Sequence, residues 1–124
     1  MTWRLMVVAS AWWGVSGCLP ADGAASLSRL ESSDPAKRIR AIVYLADRVG
    51  PEENAYLTIL SALVDRLEDE DEAVRLFAIA GLDRLTGQRF GYVAYHGPRR
   101  RRGAVQQWRD YLAGRALAQG DKSP

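Results

Sequence analysis

Few side chains in this 124-residue chain have the type and spacing that chemistry demands. His96 is the single histidine and Cys18 the single cysteine. Neither an intrachain disulfide nor a zinc site of several Cys and His can be assembled from them. A lone imidazole allows one nucleophile–base dyad at most. Gly87 and Gly91 are followed by Tyr92 and Val93, without the Lys of a phosphate-binding loop. The carboxylates Glu68, Asp69, Glu70, Asp71 and Glu72 are consecutive and lack the Gly turn and terminal Glu of a calcium loop. They read as a solvated turn between helices. No catalytic, cofactor-binding or metal-ligating residue is expected, and no cofactor.

Three features remain. The first is Cys18. The second is the run Arg99, Arg100, Arg101 and Arg102, which suits an acidic surface such as lipid head groups or an acidic partner. Nucleic acid would also attract it, but an exported chain rarely meets nucleic acid, so it is not the expected partner. Positive charge opposes the dipole at a helix N-terminus, so some of these arginines are expected in the preceding loop. The third is the aromatic loop Phe90, Tyr92, Tyr95 and His96, ahead of Trp108. Exposed aromatics mark interfaces, so Tyr92, Tyr95, His96 and the four arginines are the candidate partner-binding residues. The competing and favoured role for the loop is packing back on Trp108.

The elements that position these residues differ along the chain. Overall the sequence is 48% apolar with a net charge of +2, too apolar and too balanced for a disordered chain. Yet three of the four Trp and both Met lie within residues 1–17, where Arg4 is the only charge. Leu5 to Val15 is an uncharged, mostly apolar run. It is too short for a bilayer span of roughly 20 residues and suits the apolar region of an export signal. Val15-Ser16-Gly17-Cys18 resembles the bacterial lipobox. That resemblance implies cleavage before Cys18 and lipid attachment to its thiol. Ordinary cleavage near 21–25, or an uncleaved short anchor, are the alternatives. Residues 1–17 are thus expected to be a lipoprotein signal. Residues 18–33 would be a tether, flexible through Ser26, with a short leading helix at 27–32.

Beyond the tether the periodicity is helical. Asp34-Pro35 is a helix start, with Ile39, Ile42, Val43, Ala46 and Val49 on one face and a stop at Gly50-Pro51. Glu52 and Glu53 favour a second start, followed by Tyr56, Leu57, Leu60, Leu63, Val64 and Leu67. Asp71 caps a third helix with Val74, Phe77, Ala78, Leu82 and Leu85 inward, ended at Thr86-Gly87. Phe90 to Tyr95 is expected to be briefly extended at most. A last helix starts near Arg99 to Gly103, with Val105, Trp108, Leu112 and Ala116 on one face. The residues from 119 on read as a frayed tail.

Residues 34–45 and 71–82 align at an offset of 37, with identical Asp, Ala, Arg, Ala, Ile and Leu. Such a period marks a repeat architecture. The Asp-x-x-Val-Arg-x-x-Ala-x-x-x-Leu core of residues 71–82 resembles the first helix of HEAT-like repeats; Lys37 departs from it. Leu85-Thr86-Gly87, Phe90-Gly91-Tyr92, Arg102, Ala104-Val105 and Trp108 resemble the closing segment of small bacterial HEAT-repeat proteins. The resemblance implies an all-α, short α-solenoid of two helix pairs over residues 34–118. It also implies that Arg38 and Arg75 bridge to acids around Asp34 and Asp71. Two pairs are few for a stable solenoid, so the ends need caps or a partner. The expected function is a non-enzymatic, lipid-anchored protein-binding scaffold at the bacterial cell envelope. A structural envelope protein without a ligand, or a HEAT-like lyase, are the alternatives.

Overall fold

The structure, a computed structural model, describes residues 21–51 and 53–121. The export segment, Cys18, the start of the tether, Glu52 and the last three residues lie outside the described residues. The described residues form five α-helices and no strand. They are α1 (Ala21–Arg29), α2 (Pro35–Arg48), α3 (Tyr56–Asp65), α4 (Glu72–Thr86) and α5 (Pro98–Gly120), with a 3₁₀ turn at Arg66–Glu68.

Local chemistry sets the helix ends. Asp34 and Asp71 are extended at φ −86° and accept hydrogen bonds from Ala36 N and Val74 N, both at 2.9 Å. Pro35 occupies the first turn of α2, where no amide hydrogen is missed. Gly87 closes α4 at φ 71°, and its N–H donates to Asp83 O.

The 37-residue repeat recurs in the geometry of the helix starts. Asp34 N bonds Ser32 Oγ, and Asp71 N bonds Asp69 Oδ1. Arg38 donates to Ser32 O at 2.6 Å, and Arg75 to Asp69 O at 2.7 Å. Each arginine thus ties down the carbonyl six residues before it. α2 and α4 lie parallel, and the one-repeat step reappears as an Arg84–Asp47 ion pair at 2.7 Å. Gly81 lets them approach: a Cβ there would sit 3.2 Å from Ala46 Cβ.

α3 returns alongside α2, so Arg66, just beyond its end, reaches Leu30 O at 2.9 Å. Between the helices lies one core. Ile42 and Leu45 come from α2; Ile59, Leu60 and Leu63 from α3; Val74, Ile79 and Leu82 from α4; Val105 and Trp108 from α5. Burying each of the large side chains contributes about 1.5–3 kcal/mol.

Several expectations are corrected. The first described helix starts at Ala21, so residues 21–26 are helical rather than a flexible tether, and Ser26 is 2% exposed. Val43 and Phe77 point outward instead of into the core. Residues 119 and 120 continue α5 rather than fraying, and Ala116 is exposed. The largest departure concerns the second helix pair. Arg109 pairs with Glu68 at 3.0 Å, while Arg115 stacks on Tyr56, its guanidinium 5.5 Å from the ring centroid. α5 therefore runs antiparallel to α3 and packs on it, so α4 and α5 do not form a hairpin like α2 and α3. The path is reversed by residues 88–97, which lead the chain back beside the start of α4.

Candidate interaction surfaces

The return segment shows how a loop is held by a few aromatic contacts. Phe90 and Gly91 both have positive φ, 51° and 67°, and Tyr92 N bonds Arg89 O at 3.0 Å. This is the turn geometry in which both central residues are left-handed. Phe90 accepts that backbone because its ring is fixed edge-on to Trp108 at 4.8 Å and tilted against Tyr111 at 5.5 Å. Such pairs are worth about 0.5–1.5 kcal/mol each. A second turn joins Val93 O to His96 N. The segment is a loop of two consecutive turns, without an extended stretch that pairs as a strand. Its packing on Trp108 is the role the sequence favoured.

Tyr92 is 4% exposed and donates to Leu67 O at 2.6 Å. Burial raises its phenol above the ordinary 10.0, and Glu68 adds to the rise; Arg101 and Arg75 pull it back. Its exposed partner-binding role is thus corrected: Tyr92 is an interior clasp. Tyr95, by contrast, is 73% exposed and stands edge-on to the His96 ring at 5.3 Å.

All four arginines of the run lie inside the first turns of α5, none in the loop. Pro98 sets the first helical residue, so the helix starts before the charges do. Gly97 provides no side-chain cap, and no acid occupies the first turn. Arg101 is tied to His96 O. Arg99, Arg100 and Arg102 are exposed and, among the described residues, make no ion pair.

The acidic run holds a residue that sequence reasoning missed. Asp69 is not solvated: its side chain is 4% exposed. Its carboxylate bonds Arg38 at 3.0 Å, faces Arg66 at 3.6 Å and accepts from Asp71 N at 3.0 Å. Asp34 and Asp71 cap their own helices, and Arg38 meets the acid two residues before Asp71, within the acidic surroundings expected to hold it. Arg75 is satisfied by the carbonyls of Asp69, Glu70 and Ala94, with Glu72 at 4.0 Å. The missed signal was positional. Asp69 stands where the first repeat has Ser32, so the second copy adds a charge at the turn nearest Arg38.

A second missed residue is Leu76. Its repeat equivalent, Ile39, packs partly buried against the core, whereas Leu76 is 55% exposed. The side of α2 that carries Ile39 has α4 beside it. Among the described residues α4 packs chiefly on α2, α3 and the 3₁₀ turn, and Leu76 stays exposed. Phe77 at 40% and Val43 at 48% exposure add apolar area on the same two helices.

Among the described residues no cluster of His, Cys, Asp and Glu has the arrangement to hold a metal ion. No helix among them is long and apolar enough to cross a membrane. No family model matches the chain, and no curated protein or solved structure matches it significantly.

Proposed function

We propose that this chain is a non-enzymatic, lipid-anchored scaffold of the bacterial cell envelope that binds another protein through its helix faces. In this reading residues 1–17 are a lipoprotein signal and Cys18 carries the lipid. Several acyl chains hold a protein durably on a membrane, where one is marginal. The helical array is a short solenoid of HEAT-like character: one complete pair, α2 and α3, then α4, with α5 closing the core from the opposite direction.

The observation that carries the binding role is Leu76. A repeat position partly covered in one copy and bare in the next marks the open end of a stack, and an exposed apolar face is where a partner helix docks. Arg99, Arg100, Arg102, Tyr95 and His96 form a second, polar contact suited to an acidic partner.

A photo-crosslinking residue at Leu76 in the intact envelope tests this, with the same residue at exposed Gln107 as control. One discrete protein adduct from position 76, absent from 107, is expected. Equal labelling at both, or none, would refute the scaffold and leave a structural envelope protein. Radioactive palmitate with a Cys18→Ser control tests the anchor separately; an unlabelled parent chain refutes it.

A further inference from the structure

α1 and α2 enclose an open groove of about 740 Å³. Arg29 of α1 and Lys37 and Arg40 of α2 line it, with the hydroxyls of Ser26, Ser28 and Ser32. Ser26 lies deep, 2% exposed, and Ala41 contributes at the α2 side. Some exposed cations find acids: Arg84, Arg89 and Arg109 each pair at 3.0 Å or less, while the α5 arginines Arg99, Arg100 and Arg102 do not. Arg29, Lys37 and Arg40 make no ion pair among the described residues. The acids nearest in sequence are engaged elsewhere. Glu31 faces Arg66 at 3.5 Å, and Asp34 caps α2. Three cations on one groove without a counter-charge repel one another and attract an anion.

We infer that this groove is a contact surface for the phosphate-bearing head groups of anionic lipids. The choice of a lipid over a soluble anion rests on the anchoring proposed for Cys18. Ala21, the first residue of α1, is three residues beyond Cys18, which allows a reach of about 11 Å at full extension. An acylated Cys18 thus holds α1 at the head-group layer, with the cationic groove on its flank. The groove is wide and open and is served by long flexible side chains, which suits a layer of head groups better than one enclosed phosphate. Anchor and groove are two weak signals that act together. Their joint effect is to set the orientation of the domain on the membrane, which a single point of attachment alone leaves free.

The test uses the full chain with Cys18→Ser, so acylation plays no part. Its partition onto phosphatidylcholine vesicles is compared with that onto vesicles one-third phosphatidylglycerol. Arg29→Gln/Lys37→Gln/Arg40→Gln is measured beside it. Each cation near an anionic surface strengthens binding roughly five-fold. The triple variant should therefore lose up to roughly 100-fold on anionic vesicles and keep its weak partition onto neutral ones. Arg99→Gln/Arg100→Gln/Arg102→Gln should retain at least most of the anionic preference. Equal binding of parent and groove variant to anionic vesicles, with helicity unchanged, would overturn the inference. So would a parent that ignores anionic vesicles yet gains thermal stability from inorganic phosphate. A negative palmitate result beside a positive vesicle result would refute the anchor and leave the groove.

Discussion

Asp69→Ala removes the carboxylate on which three segments of the fold converge. Arg38, whose side chain is 5% exposed, would keep its bond to Ser32 O but lose its only carboxylate, and Asp71 N would lose its acceptor. Deleting one member of a buried ion pair costs about 3–5 kcal/mol, because the remaining charge stays buried. Arg66 softens the loss, since it is partly exposed and still reaches Leu30 O and Glu31. The expected destabilisation is therefore near the lower figure, about 3 kcal/mol. With a urea slope of about 1–3 kcal/mol per molar, the unfolding midpoint should fall by roughly 2 M. Far-UV circular dichroism in urea measures it, since the described fold is helical throughout. The companion variant Arg38→Met/Asp69→Leu removes both charges and fills the space. It should recover most of the loss, since replacing a buried pair with apolar groups is often neutral. A single-variant loss below about 1 kcal/mol at unchanged slope would refute the argument. A double variant as unstable as the single one would refute it equally.

Other substitutions probe the remaining contacts. Tyr92→Phe should cost about 1–2 kcal/mol at neutral pH by orphaning Leu67 O. Because burial raises the folded phenol's pKa above its unfolded value near 10.0, the clasp is fully present below that value. It is lost as pH rises through the folded pKa, so parent and variant should converge in alkaline urea titrations; a constant gap would contradict this. Gly81→Val should lose about 1–3 kcal/mol by overpacking against Ala46, Leu63 and Ile42, read from thermal melts; an unchanged melting temperature would show that α2 and α4 can part freely. Arg99→Gln/Arg100→Gln/Arg102→Gln should raise stability, by about 0.3 kcal/mol for each charge removed from the start of α5. A fall would show that these arginines have intramolecular partners.

Helix existence was written locally. Apolar spacing, Asp34-Pro35, Asp71 and Thr86-Gly87 determined where α2 and α4 lie, because caps and stops act within a few residues. The repeat was legible too, since it needs only identity at a fixed offset, and it correctly made Arg38 and Arg75 structural. The folding back of the aromatic loop on Trp108 could also be read. Other features needed distance information that no local pattern holds. The burial of Asp69 depends on Arg38, 31 residues away, and a run of five acids looks equally solvated throughout. The outward turn of Phe77 and Leu76 depends on which sides of α4 receive a neighbour. The direction of α5 depends on the turns at Phe90-Gly91 and Val93–His96, which reverse the chain before Pro98. The sequence by itself determined the helices and their repeated starts, through contacts a turn or two long. Only the tertiary structure decided which charges are buried and which apolar faces are left open, because both are set by what another part of the chain leaves uncovered.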